Sequence, residues 1–334
     1  MLHFLQQAWR GRSGIAPFVI TLLALIVGAL VVGGITTLAL IWMLSGSLPM
    51  DPEATTPEAF GVSDLEFLFV NMIPFVIVLG VLWGCMRGLH HRPLRSLISP
   101  SDRIDWRRLG VATAGWVGLM TLTLGVEAIM SPEELNVTFE WQAFLWLLLL
   151  AGTLIPIQAS VEELIMRGYI MQHAAQWFRS GAAAVLISSV LFGLLHWANP
   201  EVASFGAGMM MAYYMGFGVF MALLTLVDDR LEMAMGVHIG NNLFGTVIVT
   251  FPESVLTTPA LIRLETMEPT PVTLLTWGVM ALIFALIMGR AYGWAWDTLW
   301  QRLGRVNPPP SDKETDDSLS EGASPEAGIP PHSS

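Results

Sequence analysis

Eight runs of this chain contain no Asp, Glu, Lys or Arg, and they dictate the solvent it must fold in. They extend from Ser13 to Met50, Phe67 to Met86, Leu109 to Val126, Trp141 to Val161, Gly181 to Pro200, Val202 to Val227, Met233 to Pro252 and Pro269 to Gly289. One crossing of the bilayer core takes roughly 20 apolar residues, so each run is a candidate span. A water-soluble chain of 334 residues could not hide this much apolar surface. Its residues are 54% hydrophobic and only 13% charged, against a charged share of roughly 25% in soluble domains. The sequence therefore reads as an all-α, polytopic membrane protein with about eight transmembrane helices. The first run follows Arg10 and Arg12 as a signal peptide would, but its apolar stretch exceeds the 7 to 15 residues of a cleavable one. It is expected to stay as an anchor.

Short loops retain Lys and Arg on the cytoplasmic side. With both termini inside, the inner segments hold 15 of the 16 basic residues, and only Arg263 falls outside. The segments from Asp51 to Glu66 and from Glu133 to Glu140 are acidic and suit the outer face. This predicts an integral protein, of a bacterial inner membrane, with cytoplasmic N- and C-termini. The basic stretch from Arg87 to Arg108 is expected on the inner surface, where it attracts anionic membrane lipid. His90 and His91 are expected in that solvated loop rather than on a metal.

Residues 1–306 read as the transmembrane domain and 307–334 as a disordered Pro/Ser-rich tail, in which six acids face only Lys313. The formal charge of −11 is spread unevenly, with −5 from this tail alone, and implies no special partner. No basic patch of the size nucleic acid requires exists. Cys85 is the only cysteine, which excludes an intrachain disulfide. No internal repeat suggests an inverted-repeat transporter, which weighs against a proton relay made of the buried charges.

A charge at the bilayer centre costs about 2.5 to 3.5 kcal/mol, so one that persists there is a functional candidate. Three clusters stand out: Val161-Glu162-Glu163-Leu164-Ile165-Met166-Arg167, Phe192-Gly193-Leu194-Leu195-His196, and His238-Ile239-Gly240-Asn241-Asn242. Glu163 with Arg167, Phe192 with His196 and His238 with Asn242 are each four apart, one helical turn on one face. Glu163 and Arg167 are expected to neutralise each other as an ion pair. Glu162 points about 100° away, so the two carboxylates are not expected to share a partner, and Glu162 is left without one in its own helix. Desolvation would then favour its use as a general base.

Arg179-Ser180-Gly181 reads as a turn between two antiparallel helices. Residues whose numbers sum to 358 then lie level, which pairs Glu162 with His196 in height. Depth is left open: either the helix carrying Glu162 projects beyond the bilayer, or Pro156 breaks it.

These motifs, Glu-Glu-x-x-x-Arg at Glu162, Glu163 and Arg167, Phe-x-x-x-His at Phe192 and His196, and His-x-x-x-Asn at His238 and Asn242, resemble the signature of the CPBP (Abi) intramembrane proteases. That family includes the type II CAAX prenyl endopeptidases. The resemblance covers a protease core from Trp141 to about Phe251. It implies an intramembrane endopeptidase acting on a membrane-associated peptide or protein, with Glu162 as the base that activates water and His196 helping to hold that water. His238 and Asn242 would stabilise the oxyanion, with Glu163, Arg167 and Phe192 as structural support. The chemistry is expected to need no cofactor. The alternative is Zn2+ held by Glu162, His196 and His238, because relatives have been named metalloproteases, although no His-Glu-x-x-His signature is present. The other class of function is a non-proteolytic scaffold or bacteriocin-immunity protein on the same fold.

Overall fold

The computed structural model describes residues 2–48, 56–265, 267 and 269–309. It is an all-α bundle, as lipid demands of a chain whose backbone groups must be satisfied within each segment. Helix α1 (Ile15–Ser45) leads into α2 (Asp64–Gly88), α3 (Trp106–Met130) and α4 (Trp141–Phe178). They are followed by α5 (Gly181–Leu195), α6 (Ala207–Asp228), α7 (Glu232–Leu243) and α8 (Pro271–Tyr292). Six of these, all but α5 and α7, are long and apolar enough to cross a membrane.

Two of the eight apolar runs form shorter helices. Helix α5 has 15 residues, about 22 Å of rise against a hydrocarbon core of roughly 30 Å. Helix α7 has 12 residues before a π-helical turn over Phe244–Ile248. Its first nine residues are all buried. The run from Met233 to Pro252 is apolar because protein surrounds it, not because lipid does.

Helix α4 decides between the two readings of its course. It runs unbroken through Pro156 for 38 residues, about 57 Å, well beyond the hydrocarbon core. Trp141, Leu145, Trp146, Leu148 and Leu149 in its first half are exposed, as lipid-facing residues are. Between Val161 and Ala175 nearly every residue is buried by the other helices. Glu162 sits where the helix leaves the apolar surroundings and enters the protein. A π-helical segment, Leu164–Met171, begins two residues later.

The basic segments gather at one end of the bundle. There Phe4 N donates to Asp229 Oδ1 (2.9 Å), Arg12 N to His90 O (2.8 Å), Leu231 N to Ile98 O (2.8 Å) and Val306 N to Arg179 O (3.0 Å). Arg108 pairs with Asp228. Both ends of the described chain thus lie together. The opposite region carries a three-stranded sheet in which β1 (Leu135–Val137) pairs antiparallel with β3 (Ile262–Leu264), and β3 pairs parallel with β2 (Val249–Thr250). Arg263 lies on that sheet. Arg167, counted with the inner segments, is instead fully buried inside the bundle. The tail expected to be disordered lies outside the described residues from Pro310 onward.

His90 also departs from expectation. It is fully buried, and its Nδ1 meets Arg12 O at 3.0 Å while Nε2 meets Thr21 Oγ1 (3.0 Å) and the Tyr169 hydroxyl (2.9 Å). Its loop folds under the N-terminal segment instead of facing water, whereas His91 stays exposed.

Two glycines allow α7 to approach the site. A Cβ on Gly236 would lie 2.4 Å from Leu109 O, and one on Gly240 would lie 2.9 Å from Thr113 O. This small-xxx-small pair lays α7 directly on α3 and places His238 and Asn242 toward α4.

Candidate active site

The hairpin of α4 and α5 turns at Arg179, which adopts the left-handed conformation (φ 53°), and Ser180, which caps α5 by accepting from Ala183 N. Its register is visible in a contact. The Arg167 guanidinium lies 4.5 Å from the centre of the Phe192 ring, and their numbers sum to 359. The same register sets Glu162 and His196 at one height.

Glu163 and Arg167 are both fully buried, with Arg167 Nη1 donating to Glu163 Oε1 at 2.7 Å. Arg167 Nη2 also donates to Gly218 O at 3.1 Å, tying α4 to α6. His238 arrives from α7 with one ring nitrogen for each acid. Nδ1 lies 2.8 Å from Glu163 Oε1, and Nε2 lies 3.5 Å from Glu162 Oε2. The expectation that the two carboxylates do not share a partner is thus corrected, because an imidazole presents nitrogens on two edges and bridges adjacent side chains that diverge by a third of a turn. Nδ1–H given to Glu163 sets the ring's orientation, and Nε2 presents an N–H toward Glu162 only when the ring is an imidazolium.

Glu162 is not without a partner in its own helix. Gln158, one turn earlier, donates from Nε2 to Glu162 Oε1 at 2.5 Å, and its Oε1 accepts from Asn242 Nδ2 at 2.9 Å. Glu162 Oε2 is buried and has no hydrogen bond, and the 3.5 Å to His238 is longer than a formed N–H···O bond. One oxygen of this carboxylate is held, and the other faces an imidazole edge. Gln158 is absent from the motifs read in the sequence because it stands within an uncharged run. Its i−4 spacing to Glu162, the same as that between Glu163 and Arg167, was the available signal.

His196 stands at the C-terminal end of α5, half-buried. Its Nδ1 meets Phe192 O at 2.7 Å, and its ring stacks on Tyr214 with centroids 4.5 Å apart. Phe192 separates the two imidazoles, 4.5 Å from His196 and 5.8 Å from His238. The fold therefore joins Glu163 directly to Arg167 and His238, sets His238 3.5 Å from Glu162, links Asn242 to Glu162 through Gln158, and leaves His196 across the Phe192 ring. Among the described residues no three His, Cys, Asp or Glu side chains are gathered as a metal-ligating group.

Residues 141–244, which hold all three motifs, match the family described as type II CAAX prenyl endopeptidase Rce1-like. The chain is also 29% identical over 232 residues, 69% of its length and 76% of the relative's, to the uncharacterized protein YyaK of Bacillus subtilis (strain 168). No solved structure matches. The stretch that resembles the type II CAAX prenyl endopeptidase Rce1-like family thus contains Glu162, Glu163, Arg167, Phe192, His196, His238 and Asn242.

Proposed function

We propose that this protein is an intramembrane endopeptidase that hydrolyses a peptide bond of a membrane-associated protein or peptide without a metal. The observation that carries the reading is the state of Glu162. One oxygen is fixed by Gln158, and the other is buried, unpartnered and directed toward His238 Nε2. Such an oxygen takes a proton from a water poised for attack on a carbonyl carbon. His196, its Nδ1 engaged by Phe192 O, offers Nε2 to the same water. The second N–H of Asn242, together with Nε2–H of His238 when that ring is an imidazolium held by Glu163, serves the developing oxyanion, in surroundings where low dielectric strengthens both. Glu163 and Arg167 hold His238 in place. The basic end of the bundle, with both termini, faces the cytoplasm of a bacterial inner membrane, where anionic lipid meets the loops.

The test is a comparison of membrane proteomes from cells carrying the wild type and Glu162→Gln. The substitution keeps shape and hydrogen bonding but removes the base. One cleavage product is expected to disappear with Glu162→Gln and to persist when a chelator is added. A product set unchanged by Glu162→Gln would identify a scaffold on a protease fold, and one lost to the chelator would identify metal-dependent hydrolysis.

A further inference from the structure

Gln158 is one link of a longer series. Trp116 Nε1 on α3 donates to Asn241 Oδ1 (3.4 Å), Asn241 Nδ2 to Asn242 Oδ1 (3.3 Å), Asn242 Nδ2 to Gln158 Oε1 (2.9 Å) and Gln158 Nε2 to Glu162 Oε1 (2.5 Å). Four hydrogen bonds thus run from a buried indole to the carboxylate through three consecutive amides.

The two ends of this series leave no freedom in its direction. An indole N–H only donates, and an ionised carboxylate only accepts. Each amide between them carries an acceptor on one side and a donor on the other, so turning any one of them sets oxygen against oxygen or N–H against N–H at both its links. The indole imposes the same orientation from one end that the carboxylate imposes from the other. Bonds aligned in this way also polarise one another in a low-dielectric interior.

We propose that Trp116, Asn241 and Gln158 are positioning residues that lock the amide of Asn242 with its N–H side toward the reacting atoms and aim Glu162 by the same chain. This deepens the hydrolytic reading above and rests on it for its consequence, though not for its geometry. Asn242 spends one N–H on Gln158 and keeps the other, the one an oxyanion would use. Without the indole the Asn241 amide is left with the Tyr213 hydroxyl, which can donate or accept and so permits either orientation, and Asn242 follows it. Trp116 stands at position 116, outside the 141–244 family match. It is fully buried and packs against Phe220 and Phe284 (ring centroids 5.6 and 5.5 Å). The site is therefore oriented from a helix outside the matched domain.

The variants are Trp116→Phe, which keeps most of the ring packing and removes only the donor, and Gln158→Met, which keeps length and removes both links. Two readouts are taken on the full-length protein in detergent and in cells. The first is the nuclear magnetic resonance of 15N-labelled Asn and Gln side-chain amides. In Trp116→Phe the resonances of Asn242 and Gln158, two and three links away, are expected to shift and to lose protection from exchange. The second is the Glu162-dependent product, expected to form roughly three- to tenfold more slowly, the loss of about one net hydrogen bond. Asn241→Asp sharpens the test. Its acceptor-only side chain turns Asn242 round, so it is expected to slow the reaction more than Asn241→Ala, the reverse of the order that packing alone predicts.

If only Asn241 responds to Trp116→Phe, the chain is not coupled and the proposal is overturned. If the amides respond but product formation does not, the positioning claim falls while the chain stands. If no Glu162-dependent product exists, the proteolytic reading fails, and the amide resonances still decide the relay. Should Trp116→Phe not fold, Gln158→Met carries both readouts, with Asn242 the amide to watch.

Discussion

Replacing Arg167 with Met tests the electrostatics of the site most directly. Arg167 and Glu163 have no exposed surface, so the pair is not screened by solvent. The substitution keeps much of the side chain's volume but leaves the Glu163 carboxylate buried with only His238 beside it, and its Oε2 already lacks a partner. Removing one member of a buried pair costs about 3 to 5 kcal/mol, because the survivor's desolvation is no longer compensated. The hydrogen bond to Gly218 O and the contact with the Phe192 ring are lost as well. At about 2 °C per kcal/mol for a chain of this size, the apparent melting temperature in detergent should fall by roughly 6 to 10 °C. The double variant Glu163→Gln with Arg167→Met removes both charges and should recover at least about half of that loss. A single variant within about 2 °C of wild type, or a double variant no more stable than the single, would refute the argument that charge compensation governs this site.

Three further outcomes follow from the structure. Burial pushes the His90 imidazole below its ordinary range, with Arg92 adding to the effect. Between the folded and unfolded values the unfolded chain binds more protons, so stability is complete above about pH 6.5 and falls as acid is added below it. The melting temperature of His90→Asn should depend less on pH between 7.5 and 5.5 than that of wild type, and equal dependence would remove His90 as the cause. Gly236→Ala forces a Cβ to within 2.4 Å of Leu109 O and should cost about 1 to 3 kcal/mol, whereas Gly152→Ala, with nothing within 4 Å, should be neutral or slightly stabilising in the same melting assay. In a Cys85→Ser background, cysteines placed at Ser101 and Arg305 should react with an impermeant maleimide from one side of the membrane and a cysteine at Asn136 from the other; labelling of all three from one side would contradict the gathering of basic segments at one end.

The helical class was legible in the sequence because exclusion of charge from long runs is a property of composition along the chain and needs no partner. The groups that meet at the site were legible too, since i,i+4 spacing on a helix is a local rule that holds wherever the helix lies. The turn at Arg179 and the register that puts Phe192 against Arg167 belong to the same class of inference. Residue types alone do not say whether an apolar run faces lipid or protein, so the run containing α7 looked like a span although it is enclosed. For the same reason His90 looked solvated beside so many arginines.

What the sequence determined by itself, then, is which residues carry unusual cost in an apolar medium and which of them share a helical face. The tertiary structure alone decided how those faces are joined. His238 bridges two acids that diverge on their own helix, and Gln158 ties Glu162 to Asn242. Trp116 enters the site from α3. Hydrogen bonds between residues 75 to 125 positions apart depend on helix packing, here on Gly236 and Gly240 letting two backbones touch, and no local periodicity encodes that approach.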